Sequence, residues 1–147
     1  MRSAFIPRHA LVLVLALALV GCGDDDNNNG FSPTVENVAG TYTATSFTLT
    51  TSLGTVDLLA LGSEVSVVLL SDGTTTGHLF VPGAGEDGED VDADLAGEWT
   101  LAGSTVTFNQ TADTFIRDAD FAASENRLTG EGTFGEETIR IVLTKSD

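Results

Sequence analysis

The chain has 147 residues, 22 acidic side chains against six basic ones, a formal net charge of −16 and a single cysteine. That length suits one domain. So acidic a composition excludes nucleic acid as a partner, because phosphate binding needs clustered Lys and Arg, and a lone thiol excludes a disulfide-built scaffold.

At the start of the chain, an 11-residue apolar run from Ala10 to Val20 follows Arg2 and Arg8 and ends at Gly21, before Cys22. A basic start, a short apolar stretch and a small residue at the cut make residues 1–21 a secretory signal peptide. The run is too short to cross a bilayer, which takes about 20 apolar residues. Its ending, Leu19-Val20-Gly21-Cys22, resembles the lipobox of bacterial lipoproteins. The resemblance implies cleavage between Gly21 and Cys22, a diacylglyceryl group on the Cys22 sulfur and, in many bacteria, a further acyl chain on the new amine. Two chains hold a protein on a membrane where one does not. Gly23, not aspartate, follows the cysteine, and by the enteric sorting rule this favours the outer membrane where the cell has one. Processing removes Arg2 and Arg8, leaving four basic against 22 acidic side chains and a net charge of −18. Anionic headgroups repel such a domain, so it stands off the membrane.

Residues 22–36 carry the lipidated cysteine and then Gly23-Asp24-Asp25-Asp26-Asn27-Asn28-Asn29-Gly30. Like charges without apolar periodicity predict a disordered tether. Ten such residues reach roughly 17 Å.

Residues 37–147 form the domain, and its pattern is that of strands. Candidate runs are 40–51, 55–61, 64–70, 74–81, 98–102, 105–111, 114–122, 127–134 and 137–145, with 55–61 readable as a short helix instead. Val65, Val67 and Leu69 alternate onto one face, as do Val106 with Phe108 and Ile139 with Ile141 and Leu143. Asp72-Gly73 marks a hairpin, and the acidic stretch 83–94 a long loop. Half-buried antiparallel strands joined by short turns predict an all-β fold, an up-and-down barrel of about eight strands with no open edge; a β-sandwich is the alternative. A phrase recurs 57 residues on, as Val38-Ala39-Gly40-Thr41-Tyr42-Thr43 and Leu95-Ala96-Gly97-Glu98-Trp99-Thr100, each copy opening a set of about four strands.

Gly40-Thr41-Tyr42, and in its letters Gly97-Glu98-Trp99, resembles the Gly-x-Trp signature of the lipocalin and fatty-acid-binding superfamily. There the aromatic closes one end of the barrel, and the resemblance implies carriage of a small apolar molecule. Tyr42 and Trp99 are then barrel-end or core aromatics, with ligand stacking as the second role. Strand alternation places Arg117 beside Phe115, Ala119 and Phe121. An inward guanidinium needs an anion, and the resemblance implies a ligand carboxylate; pairing with Asp113 or Asp118 at the mouth is the alternative.

The six carboxylates of residues 86–94 lack EF-hand spacing and read as a solvated loop, with weak Ca²⁺ attraction as the alternative. After processing His78 is the only histidine, so no zinc set or Cys-His pair forms, and there is neither a Gly-x-Ser-x-Gly elbow nor a phosphate loop. The expectation is a non-catalytic protein without metal or cofactor. It is a membrane-anchored envelope lipoprotein that carries a small hydrophobic ligand, or alternatively a structural or protein-interaction module of the envelope.

Overall fold

The computed structural model describes residues 30–146. The signal peptide, the lipobox with Cys22 and the tether as far as residue 29 lie outside the described residues. Ten strands follow in chain order: β1 (Gly40–Thr51), β2 (Gly54–Asp57), β3 (Glu64–Leu69), β4 (Thr74–Val81), β5 (Val91–Asp94), β6 (Gly97–Ala102), β7 (Thr105–Gln110), β8 (Phe121–Ser124), β9 (Arg127–Phe134) and β10 (Glu137–Lys145). Single-turn helices α1 (Val35–Val38) and α2 (Phe115–Asp118) interrupt them.

Eight of the strands close a barrel in the order β1-β3-β4-β6-β7-β8-β9-β10, sealed by an antiparallel β1–β10 ladder from Tyr42 opposite Lys145 to Thr50 opposite Thr138. That ladder settles barrel against sandwich, because a sandwich leaves its edges unjoined. The other two strands continue barrel strands toward one rim. β2 pairs with the end of β1 before residues 58–63 loop out and β3 resumes on β1. β5 and β6 both pair with β4 in one register, Val81 opposite Val91 and Thr75 opposite Gly97, with only Leu95 and Ala96 between them.

Inward positions follow the alternation. Val65, Val67 and Leu69 are buried, as are Val106, Phe108, Ile141 and Leu143. The outward face is polar, and threonines meet across neighbouring strands as Thr100–Thr107 at 2.8 Å, Thr50–Thr55 at 3.0 Å and Thr45–Thr144 at 2.7 Å. Such pairs stabilise a sheet, whereas a membrane-spanning barrel needs an apolar outer band. In β1 the alternation breaks once. Ala44 pairs with Leu143 but Ser46 with Val142, so Thr45 is an extra residue. This bulge moves the inward set from Tyr42 and Ala44 to Phe47 and Leu49.

The two barrel ends differ. At one end lie the β3–β4, β6–β7 and β8–β9 turns, covered by α1. Val38 is buried there, with Phe31 and Val35 packed on the core. A reciprocal cap between Thr34 and Asn37 starts the turn. The opposite end, the mouth, carries the β1–β2 and β9–β10 hairpins and the long connections 82–90 and 111–120.

Two segments differ from the sequence reading. The predicted strand over 114–122 is α2 followed by β8, because Ala119 N–H bonds Phe115 O at 2.9 Å and Arg117 N–H bonds Thr114 O at 3.1 Å. Within the predicted acidic loop, Val91 and Ala93 turn inward against Asp92 and Asp94 outward, which makes β5. Phe134, at the end of β9, is 43 % exposed.

The repeated phrase has a structural counterpart in position but not in halves. Gly40, Leu69, Thr75 and Gly97 lie on one row of successive pairings, and Val38, Leu95, Tyr42 and Trp99 are all buried. The first copy, however, opens three barrel strands and the second five.

Candidate functional site

A cavity of about 380 Å³ lies at the mouth. Because Thr45 is looped out of the ladder, Phe47 falls opposite Ile141 and faces inward. The Phe47 ring stacks on Phe115 of α2, with centroids 5.4 Å apart and planes 20° apart. Leu49 and Ile139 line the cavity from the β1–β10 seam, Leu79 and Val81 from β4. Leu58, from the loop between β2 and β3, also borders it, the β4–β5 connection contributes Ala84 and β5 contributes Val91. The Leu58 loop is braced by Asp57, whose Oδ1 accepts from the Leu59 and Ala60 N–H groups.

The lining is apolar apart from Asp113, Thr114 and Glu137. Thr114 stands at the N-cap of α2, where a hydroxyl ordinarily accepts a backbone N–H. Here it makes no capping bond. Thr114 is 8 % exposed and its Oγ1 has no hydrogen-bond partner.

The residues singled out in the sequence sit elsewhere. Tyr42 is in the closed end, its hydroxyl donating to Val38 O at 2.7 Å, and burial pushes its phenol up to about 12. Trp99 Nε1 donates to Leu70 O at 2.8 Å in the β3–β4 turn. Neither borders the cavity. Arg117 is next to it without lining it: Nη2 meets Asp113 Oδ1 at 2.6 Å and Nε meets Asp118 Oδ1 at 2.8 Å. The bond to Asp118 chiefly pushes the guanidinium further up and holds the Asp118 carboxyl below the usual range. The helical turn removed the alternation that would have aimed Arg117 inward.

His78 Nε2 lies 2.8 Å from Asp92 Oδ1 on the outer surface. In the acidic connection Asp90 accepts the Gly83 N–H at 2.9 Å. Among the described residues no three His, Cys, Asp or Glu side chains converge as metal ligands, and no helix is long and apolar enough to cross a membrane. Comparison with protein-family models, with characterised proteins and with solved structures finds no match.

Proposed function

We propose that this chain is a lipid-anchored lipoprotein of the bacterial envelope, tethered through Cys22, whose barrel holds a small hydrophobic molecule. It acts without catalysis, metal or cofactor. One observation carries the reading: an eight-strand barrel with an apolar-lined cavity of about 380 Å³, where small-ligand pockets run from roughly 300 Å³ upward. An eight-strand barrel is about the size that holds one such ligand. The described chain enters the barrel at the α1 end, opposite the mouth, and the cavity opens away from that entry. The outer membrane, where the cell has one, is the favoured address because Gly23 rather than aspartate follows Cys22.

Native mass spectrometry of the protein purified from its own host tests the reading. A bound small molecule lost on denaturation is expected; a ligand-free mass, with no uptake of an added apolar probe, overturns it. The second reading, an envelope interaction module, draws on Leu53 at 97 % and Leu61 at 62 % exposed near the mouth. It takes over on that second result.

A further inference from the structure

The same cavity carries information about the head group of its occupant, an inference that rests on the cavity being a ligand site. All its polar lining side chains, Asp113, Thr114 and Glu137, present oxygens. Carboxylates accept hydrogen bonds, and the hydroxyl accepts as well as donates. Among the described residues no Lys or Arg lines the cavity, and Arg117, next to it, is spent on Asp113 and Asp118. The connection that supplies Ala84 adds Glu86, Asp87, Glu89 and Asp90, all exposed. A carboxylate or phosphate ligand would meet like charge on entry and find no free cation inside.

Thr114 sharpens the point. A buried hydroxyl without a partner is costly, and Thr114 Oγ1 is so placed although the N–H groups of its own helical turn are at hand. Ser63 Oγ, Thr75 Oγ1 and Gln110 Oε1 are also unpartnered, but none of these three residues borders the cavity. Thr114 lines the cavity together with Asp113, on the same connection, and Glu137, at the start of β10, and a turn about χ1 between staggered wells would re-aim its oxygen.

We propose that the cavity selects a cationic amphiphile of the alkylamine class, its chain against Phe47, Phe115 and Leu79 and its ammonium held by Thr114 Oγ1 with Asp113 and Glu137. An ammonium has three donors and no acceptor, which matches three oxygens. It also gains from the acidic rim that repels an anion.

Displacement of the neutral fluorophore N-phenylnaphthylamine tests this, on the full chain carrying Cys22→Ala so that no detergent is needed. Competitors are decylamine, decanol and decanoate, matched in chain. Decylamine is expected to displace the probe at a concentration roughly tenfold or more below decanoate, the scale of one charge contact at a partly screened site, with decanol between. Thr114→Val and Glu137→Gln should each shrink the amine's advantage severalfold while the probe itself binds as before. Decanoate competing as well as decylamine, or an amine preference untouched in both variants, overturns the head-group proposal and leaves apolar carriage standing. A probe that does not bind at all removes the carriage reading and this proposal with it.

Discussion

The Tyr42 hydroxyl donates to the Val38 carbonyl at 2.7 Å, fastening the first barrel strand to the helical turn that covers the closed end. Tyr42 is 1 % exposed and is the chain's one tyrosine. Tyr42→Phe keeps the ring and leaves that carbonyl without its partner, a loss of about 1–3 kcal/mol. Chemical denaturation should show the drop. Probe binding at the mouth should be unaltered, since the substitution is at the other end.

The same side chain predicts an alkaline transition. Its phenol is raised from 10.0 to about 12 by burial, so the unfolded chain gives up the proton first. The stabilisation is fully present below pH 10 and is lost as pH rises toward 12. Ultraviolet absorbance of the phenolate, assignable because there is one tyrosine, should rise near pH 12 or together with unfolding. A midpoint near 10 in the folded protein would contradict the burial.

Gly130 makes room for Phe121. A Cβ there would sit 2.5 Å from the Phe121 ring, which is fully buried and edge-on to Phe108, centroids 5.2 Å apart. Gly130→Ala overpacks this contact, at a cost of about 1–3 kcal/mol. Combining it with Phe121→Leu should cost less than the two singles together. Thermal unfolding of the four proteins checks the coupling.

Where one face is apolar, the fold was legible in the sequence. Val65-Val67-Leu69 and Ile139-Ile141-Leu143 state their faces directly, and Asp72-Gly73 states its turn: Gly73 has φ 88° and Asp72 Oδ1 accepts from Thr74 N–H at 2.9 Å. Composition hid β5, because four acidic residues among 89–94 outweigh the inward pair Val91 and Ala93. Alternation misled at 114–122, where the i,i+4 spacing of Asp113 and Arg117 was the better sign of a helical turn. The cavity was not legible at all. Its walls come from four separate stretches, and the bulge that sets Phe47 inward leaves no mark in the letters around Thr45. Tyr42 and Trp99 were readable as barrel-end aromatics. Thr114, the unpartnered polar residue of the cavity lining, looks like any strand threonine.

Arg117 carries its own prediction. Its guanidinium is committed to Asp113 and Asp118 and lies outside the cavity lining. Arg117→Gln should leave decanoate displacement indistinguishable from that of the parent and the denaturation midpoint close to it, since exposed ion pairs contribute little. The small difference has a definite sign with pH. Asp118 is lowered from 3.8 first by the hydrogen bond from Arg117. The pair therefore contributes above that ordinary value and fades as pH falls through the lower folded one. Parent and variant should converge in acid. Decanoate binding lost in the variant would restore a ligand role for Arg117.

The proposed anchoring depends on one sulfur. Cys22→Ala removes the only thiol in the chain, and with it the diacylglyceryl group and the cleavage that follows. Each buried methylene of an acyl chain contributes about 0.8 kcal/mol of membrane binding, so the variant should cease to incorporate labelled palmitate and, once residues 1–21 are removed by limited proteolysis, leave the membrane fraction. A variant that stays on the membrane, or a parent that takes up no label, removes the anchor from the proposed function and leaves the barrel and its cavity as described.

Two single-residue deletions in β1 test how the bulge sets the cavity wall. Removing Thr45 takes out the extra residue alone, so Ala44, Ser46 and Phe47 then face Leu143, Val142 and Ile141 in an unbroken ladder. Phe47 and Leu49 stay inward, and the visible loss is the Thr45–Thr144 bond on the outer face. Removing Thr48, in the regular part of the ladder, forces a choice. Either Leu49 moves opposite Arg140 and turns outward, or the bulge is used up and Phe47 turns outward in its place. Phe47 is 2 % exposed, and turning out such a side chain costs about 1.5–3 kcal/mol, against a total of about 5–15 kcal/mol for a domain. The Thr48 deletion should therefore lower the unfolding temperature and impair probe binding, whereas the Thr45 deletion should keep binding and most of the stability. Binding lost on deletion of Thr45 would mean that the bend of the bulge, rather than the side on which it places Phe47, shapes the cavity.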